Sequence, residues 1–484
     1  MKALGILGTS SGAGKSWIAT AVCAWLRKEG VRVAPFKAQN MSNNAWATLD
    51  GGEIARAQAV QAEACGLLPT VDMNPILLKP SGSKGSQLIL RGKSQAHQSA
   101  DAYYRNFDNL WQVVKDTLDD WRSKCDVLVL EGAGSPVELN LMERDLVNLR
   151  PLRYLDGRGV LVGDVDRGGI YAQLAGTWSL LPDEDRGRLL GAIVNRFRGD
   201  ITLFPDPNRW LAPHAPGLNV FGTVPLRTDL QPEEEDGLRA ADEDRGHGEV
   251  VAWIRLPHVA NLTDCQPWWD DEGVRIRWVK SAAELATARA IVIPGTKNTI
   301  SDLRWLKATG LDQAIVLAAR AGIPVIGLCG GYQILGEQLS DHAGVAGDAG
   351  EETGLGLLPL KTNFEKEKIV RQVTAFCGER QWMTYETHMG RTTPTGFCEP
   401  LHPVVDAMGK REEGARLGNV WGTYLHGWFE APEVRQSVVS AAGIRGYRPC
   451  PFAWMDQRRK IYEAMAEHLV AHVNLESIRR YLGL

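Results

Sequence analysis

The chain has 484 residues, more than one ordinary core holds, so about two or three domains are expected. Its 54 Lys+Arg against 58 Asp+Glu give a net charge of −4, which excludes nucleic-acid binding by bulk phosphate neutralisation. Eight scattered cysteines contain no C-x-x-C pair, and no apolar run suits a signal peptide or a membrane span, so a cytoplasmic chain without disulfides is expected.

In chain order, short apolar runs alternate with helical patterns. Strands are predicted over 3–7, 31–36, 126–130, 159–165, 190–194 and 219–224, with helices over 16–28, 53–65 and 101–121. Near-continuous Val/Leu/Ile runs separated by helices specify a parallel sheet covered on both faces, with ligands at the carboxyl ends of its strands. Residues 231–249 then hold eight acidic and two basic residues with almost no apolar content, the pattern of a solvated linker. Strands resume at 250–256, 290–293 and 323–328, with one helix over 300–321, and an Arg-rich helical tail from about 454 packs back on the body. The expected fold is therefore α/β: a doubly wound, mostly parallel N-terminal domain over 1–230, an acidic linker over 231–248, and a second α/β domain over 249–484.

The first motif is Gly8-Thr9-Ser10-Ser11-Gly12-Ala13-Gly14-Lys15-Ser16, between a strand and a helix. Small residues let backbone N–H groups turn inward around phosphate oxygens, and the helix N-terminus adds partial positive charge. Thr9, Gly12 and Gly14 would line an ATP phosphate cradle, Lys15 would reach the β/γ-phosphates, and the Ser16 hydroxyl would sit on Mg²⁺. The standard pattern wants Gly where this chain has Thr9; the glycine is displaced to Gly8. Glu131-Gly132-Ala133-Gly134 ends another strand, where Glu131 can meet the metal held by Ser16. Both features resemble the dethiobiotin synthetase family, which implies ATP-dependent phosphorylation of a carboxyl group.

The second motif is Gly327-Leu328-Cys329-Gly330-Gly331-Tyr332-Gln333. Glycines flanking a cysteine between strand and helix permit a strained elbow that projects the sulfur, and a helix N-terminus favours the thiolate. A base is available 97 residues downstream at His426, in Gly422-Thr423-Tyr424-Leu425-His426-Gly427. Pro294-Gly295-Thr296-Lys297-Asn298 also ends a strand, where backbone N–H groups after the proline could build an oxyanion hole. Cys then His on separate strand ends resembles the class I glutamine amidotransferases, which implies L-glutamine as nitrogen donor. Those enzymes carry Glu two residues after the catalytic His. Here Trp428 stands at that position, which leaves Glu430 as a candidate to orient His426. His388 reads equally as a substrate-orienting or a structural histidine.

A carboxylate-activating ATP site joined to a glutaminase specifies an amide-forming ligase. Over its whole length the chain resembles the cobyric acid synthase family of cobalamin biosynthesis. The resemblance rests on Pro35-Phe36-Lys37-Ala38-Gln39-Asn40-Met41-Ser42-Asn43-Asn44, Glu131 to Pro136, Gly163 to Gly169, Val194 to Asp200, Leu256-Pro257-His258 with Asn261 and Asp264, and the Cys329 and His426 segments. It implies a corrinoid partner and amidation of the b, d, e and g carboxylates of adenosylcobyrinic acid a,c-diamide, with one ATP and one glutamine per amide. It also implies reliance on a Cys–His pair. A polycarboxylate needs cationic and amide donors, and Lys37, Gln39, Asn40, Asn43 and Arg167 follow strands that can converge on the phosphate loop. Asp145 could position metal or the reacting carboxylate, and equally could pair with Arg144 or Arg150. Two rivals stand: the sister enzyme that makes the a,c-diamide, and a partition-ATPase-like nucleotide switch without amidation. The sequence leaves homo-oligomerisation open.

Overall fold

The unbroken apolar run at the N-terminus becomes the strand Lys2–Gly8, buried from Ala3 onward. It lies inside a six-stranded sheet whose neighbouring pairs are all parallel, in the order Val220–Pro225, Leu189–Phe197, Arg158–Asp164, Lys2–Gly8, Val127–Glu131 and Val33–Phe36. The computed structural model describes residues 1–484 apart from 43, 81–85, 99–102, 104, 205, 231–243, 347–348 and 451–452. The chain divides into two compact units: Met1–Ser42, Glu53–Glu234 and Gln457–Leu484 form the first, Asn43–Gly52 and Glu235–Asp456 the second.

In the first unit, one sheet face packs on the helix Lys15–Lys28 and on the C-terminal helix Trp454–His472, whose Tyr462, Met465 and Leu469 share a core with Ile18, Val22 and Leu26. The other face buries Leu110, Val114 and Leu118 of the helix Phe107–Trp121. The linear division of the sequence is thus corrected at its end: Gln457–Leu484 belongs with the phosphate-loop unit, not the second domain. Its apolar stripe completes that core, and Arg479 pairs with Glu29 at 2.6 Å while Tyr462 donates to Glu63 at 2.9 Å. The division is corrected again at Asn43–Gly52, which belongs to the second unit. Most of the acidic linker lies outside the described residues, and its described end, Arg245–Gly246, is a short strand antiparallel to Gly273–Val279. The predicted 53–65 helix begins only at Arg56, after an extended Glu53–Ala55.

The second unit has a seven-stranded sheet in the order Arg245–Gly246, Gly273–Val279, Gly248–Ile254, Ala288–Ile293, Val325–Leu328, Val420–Thr423 and Ala415–Leu417, parallel except at its two edges. The single helix predicted over 300–321 is two, Thr299–Thr309 and Leu311–Arg320, because Gly310 adopts φ 71° and ends the first. A second sheet, built around the antiparallel pair Leu360–Cys377 and Arg380–Pro394, was not predicted. Those strands bury scattered residues, alternating only over parts of Leu360–Cys377, and mix charged with apolar side chains throughout, so no continuous apolar run marks them. Among the described residues no helix is long and apolar enough to cross a membrane.

Candidate functional site

Each unit gathers reactive groups at the carboxyl end of its parallel strands. In the first, Gly14 (φ 90°) caps the helix Lys15–Lys28 in the left-handed region, and Gly12 also has positive φ. A methyl group at Gly14 would lie 2.0 Å from Asn195 Nδ2, so only glycine fits there. The displaced Gly8 has its own reason: a Cβ would meet Lys15 Nζ at 2.9 Å, so glycine lets Lys15 fold back over the strand end. Lys15 Nζ donates to Ser10 O at 2.9 Å and to Gly134 O at 3.0 Å, joining the loop to the Glu131 segment. Thr9 Oγ1 donates to Gln173 Oε1 at 2.9 Å. Arg167 overhangs the loop, its Nη2 3.1 Å from where a Gly12 Cβ would be.

Glu131 organises the rest. Its Oε1 accepts from Ser16 Oγ at 2.9 Å and from Lys37 Nζ at 2.8 Å, and its Oε2 accepts from Gln61 and, at 3.4 Å, from Gln58. Burial would push this carboxyl up, but the Lys37 charge and the bonds from Lys37, Gln61 and Ser16 hold it below the ordinary range, so it is ionised. Asn40 joins through Gln58 Oε1 at 2.8 Å, whereas Gln39 accepts from Tyr103. Asn43 lies outside the described residues. Asp145 accepts the backbone N–H groups of Val147, Asn148 and Leu149 at 2.9–3.2 Å. Asn148 in turn brackets Ala133 through N–H to Oδ1 at 3.1 Å and Nδ2 to O at 2.9 Å, so Asp145 shapes the loop after Glu131 through Asn148.

In the second unit the strand Val325–Leu328 ends on Cys329 at φ 50°, ψ −106°, and the helix Gly330–Leu335 starts at once. A methyl at Gly331 would lie 2.0 Å from Ile293 O, and one at Gly330 would lie 2.9 Å from Thr296 N, so the two glycines let the elbow press against the neighbouring strand end. Gly295 completes the corner: a Cβ there would lie 3.1 Å from His426 Cε1 and 3.6 Å from Cys329 Cβ. The Thr296 hydroxyl and the His258 N–H both bond Asp302, which fixes this loop. Cys329 Sγ faces Thr387 O at 3.6 Å, and Cys329 and His426 flank the same Gly295 corner.

His426 is 1% exposed, and its Nδ1 lies 2.8 Å from Asp264 Oδ2. The other Asp264 oxygen accepts from Gly427 N at 2.9 Å. Burial alone would lower the imidazole pKa; the charge and hydrogen bond of Asp264, then those of Cys329, raise it to about 10. The carboxylate on His426 is therefore Asp264, not Glu430. Trp428, at the position where class I enzymes carry Glu, is buried against Phe429 and Trp421. His388 stacks on Tyr424 at 3.6 Å, with Nδ1 on Gly390 O and Nε2 3.7 Å from Glu386.

Family comparison agrees with this division of chemistry. Residues 4–239 match the CobQ/CobB/MinD/ParA nucleotide binding domain, and residues 250–434 match the CobB/CobQ-like glutamine amidotransferase domain. A cobyric acid synthase of Roseiflexus castenholzii is 42% identical over 98% of this chain and 97% of its own. The chain belongs to the cobyric acid synthase family. Cobyric acid synthases of Chloroflexus aggregans, 45% identical over 90% of this chain and 91% of theirs, and of Synechocystis sp., 39% over 100% and 99%, are similar along the same length. As a member of the cobyric acid synthase family it is a glutamine-dependent carbon–nitrogen ligase with a nucleotide-binding and a glutaminase domain.

Two polar residues of these sites, Gln58 and Gln61, and the role of a third, Asp264, were missed from sequence. Gln58 and Gln61 stand three apart on an otherwise Ala-rich helix that is almost wholly buried, and buried amides at that spacing signal a shared polar partner. Asp264 was noticed only as part of a motif; its role appears across 162 residues of sequence.

Proposed function

We propose that this chain amidates the b, d, e and g carboxylates of adenosylcobyrinic acid a,c-diamide, with ATP activating each carboxylate and glutamine supplying each nitrogen. The observation that carries the reading is the pairing, in one chain, of an ionised Glu131 bonded to Ser16 and Lys37 with a buried Cys329–His426–Asp264 array.

In the first unit the backbone N–H groups of the Thr9–Ser16 loop and Lys15 bind phosphate oxygens, and Lys37 with Arg167 holds the reacting carboxylate near them. Gln39, Asn40 and Asn43 would contribute amide contacts to the polycarboxylate, and Asp145 acts through Asn148 on the Glu131 loop. Ser16 and Glu131 offer two hard oxygen donors 2.9 Å apart, a set that suits Mg²⁺. Among the described residues no three His, Cys, Asp or Glu side chains could hold a metal by themselves, so phosphate oxygens would complete the shell. When bound, Mg²⁺ would neutralise charge on the transferred phosphoryl group. The carboxylate oxygen takes the γ-phosphoryl group and ADP leaves, giving an acyl phosphate.

In the second unit the Cys329 thiolate attacks the side-chain amide carbon of glutamine. As the C–N bond breaks, His426 gives its proton to the leaving nitrogen, and ammonia departs from a thioester. Water then adds with His426 taking its proton, releasing glutamate and the thiol. Asp264 orients the ring and stabilises its charged form. Ammonia attacks the acyl phosphate and displaces phosphate, forming the amide. All eight cysteines are free, which supports a reducing, cytoplasmic setting.

Mass spectrometry of the a,c-diamide incubated with ATP, Mg²⁺ and glutamine tests the reading, with four replacements of hydroxyl by amide expected. Amidation of cobyrinic acid itself at a and c would assign the chain to the sister activity instead.

A further inference from the structure

The catalytic imidazole is gripped in two places, by Asp264 at Nδ1 and by Tyr385 on its face, with ring centroids 5.3 Å apart and planes at 30°. Tyr385 is paired in register with His426 across an antiparallel ladder, so the stack is fixed by backbone as well as by rings. Both holders are touched by one short stretch from far earlier in the sequence. Trp46 lies against Tyr385 at 4.6 Å, and Tyr385 Oη donates to Ala45 O at 3.3 Å. Gln372, the register partner of Tyr385 on the next strand, donates through Nε2 to Ala47 O at 2.7 Å. On the Asp264 side, Asn261 N donates to Asn44 Oδ1 at 3.1 Å. Asn261 sits at φ 53° and caps the turn Leu262–Trp268 that carries Asp264, whose own N–H bonds Asn261 O at 3.1 Å. Asn44, Trp46, Tyr385, Asn261, Asp264 and His426 all belong to the second unit.

We propose that the segment Asn44–Ala47 positions the glutaminase histidine, with Trp46 as a positioning residue that acts through Tyr385. The inference rests on the glutaminase reading given above. Its physical basis is that an imidazolium gains from an aromatic face held against it, and that proton delivery to the leaving nitrogen needs the ring in one orientation. Asp264 and Cys329 are the ionisable groups bearing most strongly on His426, and Trp46 meets the Tyr385 ring that stacks on it, so its effect is read as geometry and ring stabilisation. The glutaminase site is thus completed by residues that precede its own domain by some 200 positions, as the 217-residue separation of Asn44 and Asn261 records.

The test compares full-length Trp46→Leu and Trp46→Phe with the wild type in glutamine hydrolysis across pH, with ammonium-supported amidation and thermal denaturation as folding checks. Trp46→Leu is expected to lower kcat for glutamine hydrolysis about tenfold with little change in KM, and to move the basic limb of the pH profile to lower pH. Trp46→Phe, which keeps a ring on Tyr385, is expected to restore both, and ammonium-supported amidation is expected to persist in each. If Trp46→Leu fails to fold, Tyr385→Leu removes the same stack from the other side and carries the same expectation. A leucine variant that folds and keeps the wild-type kcat and pH profile overturns the proposal. Failure of the underlying reading gives a different result, glutamine hydrolysis undiminished in Cys329→Ala.

Discussion

Asp264 Oδ2 lies 2.8 Å from His426 Nδ1, and the second oxygen of the same carboxylate takes the N–H of Gly427. One acid therefore fixes both the ring and the backbone that follows it. Asp264→Asn should lower glutamine-dependent amidation by about 10²-fold or more, because the asparagine neither stabilises the imidazolium nor fixes its orientation. Ammonium-supported amidation should stay near wild type. Steady-state assays with the two nitrogen sources measure the difference, and equal loss with both would remove Asp264 from the glutaminase.

The same pair makes stability depend on pH. His426 is raised from its ordinary value of 6.5 to about 10 in the folded chain, so its contribution is fully present below about pH 6.5 and is lost as pH climbs through 10. Thermal denaturation of wild type and Asp264→Asn should therefore show the largest gap near pH 6 and a shrinking gap toward pH 10. A gap that widens with pH would contradict the charged pair.

On the proposed mechanism, in which the elbow cysteine serves only nitrogen release, Cys329→Ala should abolish glutamine-dependent amidation and leave the reaction with added ammonium salt. On the proposed role, Lys15→Ala should remove amidation with either source, because Lys15 ties the glycine-rich loop to the Glu131 segment. Amide formation by the Lys15 variant would exclude the phosphate-loop assignment.

Glu131 and Lys37 form a buried ion pair at 2.8 Å, with side chains 1% and 5% exposed. Glu131→Gln leaves the Lys37 charge buried without its carboxylate and should cost about 3–5 kcal/mol of stability along with amidation from both nitrogen sources. Adding Lys37→Met should recover much of the stability and none of the activity. Chemical denaturation of the single and double variants reads the first, and the ammonium assay reads the second.

The local constructions are legible in the amino-acid sequence. A glycine-rich turn between a buried strand and a helix can serve as a phosphate cradle, and a cysteine flanked by glycines at a strand end makes an elbow, because both depend on residues within a few positions of each other. Continuous apolar runs likewise announced the two parallel sheets. What spans long separations was decided only by the tertiary structure. Asp264 reaches His426, Gln61 reaches Glu131, and the tail Gln457–Leu484 joins the first unit because packing, not spacing, brings them together. The strands Leu360–Cys377 and Arg380–Pro394 escaped for a related reason: half-buried antiparallel strands mix charged and apolar side chains along their length, and only the sheet decides which are covered. Asn44–Ala47 has no signature of its own as a support for a histidine; the fold supplies that role by setting Trp46 on Tyr385.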